Sequence, residues 1–388
     1  MPTRQASPTA PATAATAGRR RWLRFSLCTL LLLVLLAGQA LALGAEAKKE
    51  DKAEKSLHSL RLSAQPEVGL EIYVDDVGTG LRTPQALRLS HGSHRVRLVV
   101  PRFKTEPVWT TDYADGTASD FILKKYGQTK VSEDVEQGST IQYDATDIVL
   151  FGKYSLKTVN TPGKKMRAQT NLAWHWLSSE PGKPWIKNDL EIRESLITVW
   201  TYVSGKPGPE KNWFSLITVV FDAGWHSNTE VTTTDIHTKD MKIREWFWVD
   251  SGKFNRQPVD DAPPYPLNKW VKVSLYAKLD GTNSHVMVFQ GDRLVVDAEN
   301  IPFRPANRRP DFMHWGGYAS EGNGELTMYN SRTSVERVLG PGPQFTFARW
   351  ERDGQQIAGN LSSLELDLNA DANACVHGEV KPAAETKP

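Results

Sequence analysis

The stretch 196–203 reads Leu-Ile-Thr-Val-Trp-Thr-Tyr-Val, a run of β-branched, aromatic and leucine side chains. These residue types fit the pleated surface of a sheet, and the run has the length of a buried strand rather than a helix. Further runs of this kind lie at 141–143, 154–159, 213–221, 246–249, 271–277, 286–290 and 326–329. No long stretch has a helical period, and the prolines of 258–266 exclude helix there. The pattern predicts an all-β fold in which residues 105–338 form a large sandwich or jelly roll.

Length and charge set outer limits on the function. The chain has 388 residues, a net charge of +2 and 24% charged residues. This length suits two or three domains, and the balanced charge without a nucleic-acid motif predicts no nucleic-acid partner. The cysteines are Cys28 and Cys375. Because Cys28 lies in a segment that processing would remove, an internal disulfide is not expected.

Residues 1–47 are predicted to be a signal peptide or a membrane anchor. Arg19-Arg20-Arg21 and Arg24 precede a mainly apolar run at 25–37, and the possible cleavage sites are Ala40-Leu41-Ala42 and Ala45-Glu46-Ala47. The basic cluster with Trp22 and Leu23 also resembles a twin-arginine export signal. The run is shorter than the roughly 20 residues of a membrane span, yet only Gln39 interrupts its extension to 25–45, so an uncleaved anchor stays open.

We therefore expect an exported protein that is periplasmic, on the cell surface or secreted. The charged residues 48–58 are predicted to form a solvated linker.

Two flanking segments resemble small bacterial β modules. In 59–104, Tyr73-Val74-Asp75, Thr83-Pro84 and Gly92 follow the pattern of PEGA-type repeats, which implies a small β-sandwich that acts as a spacer or interaction module. In 343–382, the segment 347–354 and the alternating Leu364-Glu365-Leu366-Asp367-Leu368 resemble the β-repeats that end many bacterial surface proteins. That second resemblance implies a structural or adhesive role.

The central region resembles concanavalin A-like jelly-roll proteins, in particular laminarinase-type enzymes of glycoside hydrolase family 16. The resemblance rests on 151–157, on Trp174-His175-Trp176 and on 188–192, with 269–273 and 289–295 as the paired late strands. In that family an E-x-D-x-E strand carries the catalytic carboxylates. The resemblance implies a jelly roll that faces a carbohydrate.

The catalytic strand departs from the family pattern at one position. The motif falls on residues 187–191, with Asp189 as the middle acid and Glu191 as the acid/base. Alternate strand residues share a face, which is how the motif aims its carboxylates at one bond. Lys187 occupies the nucleophile position, and an ammonium cannot form the glycosyl ester. We expect retaining hydrolysis to be absent, while inverting hydrolysis with Glu191 and a remote carboxylate stays open.

A jelly-roll polysaccharide lyase is the other enzymatic possibility. Such lyases need a group that neutralises the uronate, together with a Tyr or His for proton transfer. The available side chains are Arg193, His175, His226, His237 and Tyr318. The Q-I-H and F-K-A-G-x-Y strands of alginate lyases are absent, and Thr234-Asp235-Ile236-His237 is the nearest equivalent.

Tryptophan is abundant, and eleven of the 13 indoles lie from Trp109 to Trp315. Such side chains either fill the core or stack on sugar rings from an exposed face. Alternation places both indoles of Trp174-His175-Trp176 on one face, and the same holds for Trp246-Phe247-Trp248. The predicted ligand-binding residues are Trp174, His175, Trp176, Trp185, Lys187, Arg193, Trp315 and Tyr318.

Metal binding receives little support, because the histidines lack ligand spacing. Asp280-Gly281-Thr282-Asn283 could line a calcium loop, although a hairpin turn explains it equally, so no cofactor is predicted. The leading hypothesis is an exported protein that binds a polysaccharide or other glycan through a catalytically degenerate jelly roll. The alternatives are an active polysaccharide lyase or glycoside hydrolase, and a structural envelope protein that binds another protein.

Overall fold

The structure is a computed structural model. It describes residues 57–117, 134–136, 139–160, 162–163, 166–173, 193–221, 231–249, 252–303, 312–357 and 362–381. The predicted signal or anchor and most of the predicted linker lie outside these residues. Within them, no helix has the length and hydrophobicity that crossing a membrane requires.

Every regular element in the described part of the chain is a strand, apart from a 3-10 turn at Gly281–Asn283. In chain order the strands are β1 (Leu57–Gln65), β2 (Glu71–Val74), β3 (Val77–Arg82), β4 (Gln85–Ser90), β5 (Gly92–Val99), β6 (Phe103–Thr111), β7 (Asp134–Glu136), β8 (Thr140–Ala145), β9 (Ser155–Val159), β10 (Met166–Ala173), β11 (Glu194–Gly205), β12 (Trp213–Val220), β13 (Val231–His237), β14 (Lys242–Val249), β15 (Gly252–Arg256), β16 (Trp270–Lys278), β17 (Ser284–Gln290), β18 (Arg293–Ile301), β19 (Phe312–Ala319), β20 (Leu326–Pro341), β21 (Gln344–Arg352), β22 (Gln355–Ile357), β23 (Ser363–Leu368) and β24 (Ala372–Lys381).

Two large sheets pack face to face and form the jelly roll. One sheet has seven strands in the order β15-β14-β13-β12-β19-β10-β7. The other has eight, in the order β18-β17-β16-β11-β20-β9-β8 with β6 also paired to β20. The core between them includes Val199, Phe214, Phe247, Leu275 and Trp315. The prediction of an all-β fold with a jelly roll is confirmed.

Strand alternation decides which side chains enter this core. Along β14, Ile243, Glu245, Phe247 and Val249 are buried, while the residues between them are half-buried on the outer face. Along β11 every residue from Ser195 to Val203 is buried except Tyr202, which is half-buried. Strand β11 is covered on both faces, which explains why 196–203 reads as a continuous run rather than as an alternating pattern.

The two flanking segments share one small sandwich, hereafter the flanking sandwich. One of its sheets has the order β22-β21-β24-β1-β4 and the other has the order β23-β5-β2-β3. Strand β1 pairs in parallel with β24, with Leu60 opposite Ala372, and β23 pairs with β5. A single core joins residues of both segments, among them Leu62, Val96, Trp350 and Leu368. The segments 59–104 and 343–382 were predicted as two separate modules. In the structure they build common sheets and a common core.

The flanking sandwich packs on the outer face of the eight-stranded sheet. The indole N–H of Trp200 donates to the carbonyl of Gly78 at 2.6 Å. Lys272 Nζ lies 2.7 Å from Glu71 Oε2, and Arg97 makes a two-bond contact with Asp292 at 2.6 and 3.0 Å. These contacts fix the position of the small sandwich against β11, β16 and the β17–β18 turn.

Candidate functional site

The predicted catalytic strand lies outside the described residues. This holds for Trp174, His175, Trp176, Trp185, Lys187, Asp189 and Glu191, all within 174–192, and also for His226. Their roles in ligand binding or catalysis stay predictions.

The structure places the three remaining predicted ligand residues in different environments. Arg193 is exposed just before β11 of the eight-stranded sheet, and its backbone carbonyl accepts from Leu279. Trp315 is fully buried between the sheets, where its indole N–H donates to the hydroxyl of Tyr113 at 2.7 Å. Tyr318 is half-buried on the outer face of the seven-stranded sheet. Of the two predicted ligand residues on the seven-stranded sheet, Tyr318 faces outward, whereas Trp315 is a core residue.

A row of polar side chains crosses the outer face of the seven-stranded sheet. Tyr318 lies opposite Ser215 in the ladder, Ser215 lies opposite Asp235, and Asp235 lies opposite Arg244. Directly opposed residues of antiparallel strands point to the same face. The four side chains, from β19, β12, β13 and β14, therefore share one surface, hereafter the outer row.

Asp235 is the unusual member of the outer row. Its side chain is 5% exposed, and the hydroxyl of Ser215 donates to its Oδ1 at 2.5 Å. Burial raises the pKa of Asp235 to about 7, although the Ser215 bond and the charge of Lys253 oppose the rise. Near neutral pH the Asp235 carboxyl is therefore present in both forms, a carboxylate that accepts hydrogen bonds and a protonated form that can also donate one.

An aromatic platform adjoins the outer row on β14. It consists of Trp246 and Trp248, whose ring centroids are 6.4 Å apart and inclined by 38°. Lys253 of β15 places its Nζ 4.4 Å from the Trp246 ring centroid and 4.6 Å from that of Trp248. Both indoles are half-buried, so each keeps part of its surface for a ligand.

His237 extends the platform as a neutral ring. Its imidazole lies beside the Trp246 ring and nearly parallel to it, at 16° and with centroids 5.9 Å apart, and its Nε2 accepts from the Trp246 indole N–H at 3.1 Å. Burial, together with the charge of Arg244, lowers the pKa of His237 to about 4. An imidazole nitrogen that accepts an N–H cannot carry its own proton there, which agrees with the lowered pKa.

The charge of Arg244 is offset within the site. Its guanidinium binds both carboxylate oxygens of Asp240 at 2.8 and 2.7 Å, and its Nε donates to Gln257. The Arg244 bonds lower the pKa of Asp240 to about 2. The pair closes one end of the outer row with little net charge.

This surface combines flat indole faces with neutral groups that donate and accept hydrogen bonds. Sequence reasoning identified Trp246-Phe247-Trp248 as indoles on one face and singled out 234–237 as a weak motif. It missed Ser215, Trp213 and Lys253. Trp213 packs edge-on against Tyr318 with centroids 4.9 Å apart. No local signal marks these residues, because strand pairing alone brings them to the site.

The possible calcium loop forms a 3-10 turn. Asn283 donates its backbone N–H to the carbonyl of Asp280, and the hydroxyl of Ser284 accepts from the backbone of Asp280. Elsewhere in the described residues, His285, Asp297 and Glu299 bring their ligand atoms within 4.8 Å of one another. A surface contact of 2.6 Å between His285 and Asp297 accounts for this group without a metal.

No protein-family model matches the sequence, and no curated protein is detectably similar to it. Solved structures with a related arrangement include an endo-β-1,4-glucuronan lyase from the fungus Trichoderma reesei, at 13% identity and a TM-score of 0.39 over 59% of this chain and 95% of that chain. Alginate lyase Aly36B matches at 12% identity and a TM-score of 0.33 over 62% and 99%.

A botulinum neurotoxin DC binding domain in complex with SialylT matches at 8% identity and a TM-score of 0.32, over 53% of this chain and 43% of that chain. Scores of this size assign neither an activity nor a ligand to the present chain. The laminarinase-type, PEGA-type and surface-repeat resemblances stay predictions.

Proposed function

We propose that this protein binds a polysaccharide on the outer face of the seven-stranded sheet. The observation that supports this proposal is the aromatic platform of Trp246 and Trp248, which continues into the neutral His237 and the outer row. Indoles present a large apolar face with a polar edge, which suits the C–H face of a sugar ring. The adjoining hydroxyl, carboxyl and imidazole groups suit the hydroxyls at the ring edge.

The binding strength should come from a few contacts. Aromatic side chains bury roughly 150–250 Å² each and dominate the energetics of many interfaces. The platform indoles are already held by Lys253 and His237, so little side-chain freedom is lost when a ligand binds. One platform indole should therefore contribute about 1.4 kcal/mol or more, which is a tenfold change in affinity.

Affinity electrophoresis against a panel of neutral and acidic polysaccharides tests the proposal. The wild-type protein should bind at least one polymer, and Trp246→Ala should weaken that binding at least tenfold. Leu339→Ala is a matched apolar control, because Leu339 is 50% exposed on β20 of the other sheet. If no polymer binds, or if Trp246→Ala binds as tightly as the control, the proposal is wrong.

An active lyase is a second candidate, favoured by Asp235, His237 and Tyr318 on one face. In β-elimination a base removes the proton beside the uronate carboxyl, and the neighbouring glycosidic oxygen leaves with a proton. The Tyr318 phenol is a suitable group for proton transfer, the neutral His237 can donate a hydrogen bond from Nδ1, and a protonated Asp235 can donate to the uronate. New ultraviolet absorbance from an unsaturated product, lost in Tyr318→Phe, would support a lyase. New reducing ends without that absorbance would instead support hydrolysis with Glu191.

The proposal also places the protein outside the cytoplasm. Residues 1–47 would direct export, either as a cleaved signal or as an anchor at 25–45, so that the binding face meets envelope or environmental polysaccharides. Mass spectrometry of the mature protein decides between these forms. A mature chain that begins after Ala42 or Ala47 indicates cleavage, whereas an intact amino terminus in the membrane fraction indicates an anchor.

A further inference from the structure

We infer that a second saccharide site lies where the flanking sandwich meets the jelly roll, on the opposite sheet from the aromatic platform. A cleft of about 550 Å³ opens there. Its walls include Asp76, Arg97, Tyr202, Asn268, Trp270 and Gln290, and it is hereafter the junction cleft. Ligand pockets in proteins commonly have volumes of about 300–1,000 Å³ and often lie between domains.

The junction cleft is held open by contacts that do not depend on a ligand. Arg97 of β5 binds Asp292 in the β17–β18 turn and also lies over the Tyr73 ring at 4.4 Å. Asp75 of the β2–β3 turn accepts from the backbone N–H of Arg95 at 2.9 Å. Both walls of the cleft are therefore fixed, which lowers the entropy cost of binding.

One wall of the cleft is aromatic. Trp270 is half-buried, and its ring lies 5.7 Å from that of Tyr202 at an angle of 58°. Tyr202 is supported from behind by the edge-on ring of Tyr329, whose hydroxyl donates to Asp147 at 2.7 Å. Trp270 therefore offers a rigid indole surface on which a sugar ring can stack.

The charges around the cleft are largely paired. Arg97 binds Asp292, Lys272 binds Glu71, and Arg293 lies 3.1 Å from Asp261. A site whose cations and anions offset each other gives no net attraction to a charged ligand. This balance favours a neutral saccharide over a uronate polymer or a charged peptide.

Amide side chains supply polar groups at the junction cleft. Gln290 donates its amide N–H to the carbonyl of Pro264 at 3.2 Å, and its Oε1 is buried with no hydrogen-bond partner in the described part of the chain. Asn268 adds an exposed amide at the rim of the same cleft. Sugar hydroxyls supply both donors and acceptors to such groups.

Titration of the full chain with short neutral oligosaccharides of glucose, mannose, xylose and galactose tests the inference by saturation-transfer NMR. At least one should bind the wild type, and Trp270→Ala should weaken that binding at least tenfold. Leu339→Ala is the control that should bind like the wild type. Binding that remains in Trp246→Ala, where the platform is disabled, separates the junction cleft from the platform. Asn268→Gly is a second variant that keeps the backbone, because Asn268 has φ 57, where glycine is unstrained.

Three results overturn the inference. They are no binding of any neutral oligosaccharide, equal binding by Trp270→Ala and the wild type, and loss of all binding in Trp246→Ala alone. The last result would leave the proposed function standing with a single site. Should Trp270→Ala not fold, then Asn268→Gly decides, and unchanged affinity in that variant also contradicts the junction cleft.

Discussion

Two carboxyl groups of adjacent strands are buried on opposite faces of the seven-stranded sheet. Asp235 lies in the outer row, whereas Glu245 lies on the core face with 0% exposure. The hydroxyls of Thr232 and Thr234 both donate to Glu245, the latter at 2.8 Å. Burial raises the pKa of Glu245 to about 8, and the charge of Asp235 contributes to the rise. At neutral pH, Glu245 is therefore a protonated core residue held by two threonines.

Glu245→Gln should reduce the pH dependence of stability. The ordinary pKa of this carboxyl is 4.5, so between that value and about 8 the unfolded state releases a proton that the folded state keeps. In this window Glu245 lowers the free energy of unfolding as pH rises, by up to about 1.4 kcal/mol per pH unit. The free energy of unfolding, measured with urea at several pH values from 5 to 8, should fall less steeply with pH in the variant than in the wild type. Identical slopes would mean that Glu245 is charged in the fold.

At the scale of elements, strand β3 approaches β11 closely because it carries glycines. Gly78 accepts the indole N–H of Trp200. Gly80 has φ +69, and a Cβ there would lie 2.9 Å from atoms of both Trp200 and Arg332. Glycine thus allows both the left-handed backbone and the short distance between the flanking sandwich and the jelly roll.

Gly80→Ala should destabilise the protein more than Gly354→Ala does. Both positions have positive φ, which costs alanine about 1–2 kcal/mol, but Gly354 has open space where its Cβ would lie. Overpacking against Trp200 should add about 1–3 kcal/mol in the first variant. Thermal unfolding of both variants measures the difference. An equal loss of stability in the two variants would show that β3 can move away from β11 without an energetic cost.

At the scale of the whole molecule, the jelly roll is inserted between two halves of the flanking sandwich. Leu60 of β1 and Ala372 of β24 are opposite each other, although the jelly-roll strands lie between them in the chain. The small core needs both halves, since Leu368 from the carboxyl-terminal half packs in the same cluster as Leu60 and Leu62. Neither half alone provides two complete sheets.

Leu368→Ala and Leu275→Ala form a matched pair that separates the two cores. Each leucine is 0% exposed, and each change should cost about 2–5 kcal/mol. Hydrogen exchange should show faster exchange in β1 and β5 for Leu368→Ala, and in β16 and β17 for Leu275→Ala. Faster exchange of β1 in the second variant but not in the first would contradict the shared core of the two halves.

The sequence by itself determined the strands, because alternation and side-chain shape are local properties. The run at 196–203 and the paired indoles of 246–248 were readable for that reason. The prediction of a signal peptide or membrane anchor at residues 1–47 likewise rests on the sequence alone. Alternation along a strand shows which side chains share a face. It does not show, however, which of the two faces packs against a second sheet.

Tertiary structure decided the roles of the indoles and the joining of the chain ends. Trp315 and Trp246 look alike in sequence, yet the packing of the two sheets makes one a core residue and leaves the other half-buried on the outer face. The outer row assembles from β12, β13, β14 and β19 only through ladder register. The parallel β1–β24 pairing closes the flanking sandwich across the whole jelly roll, and no local pattern encodes a contact of that sequence separation.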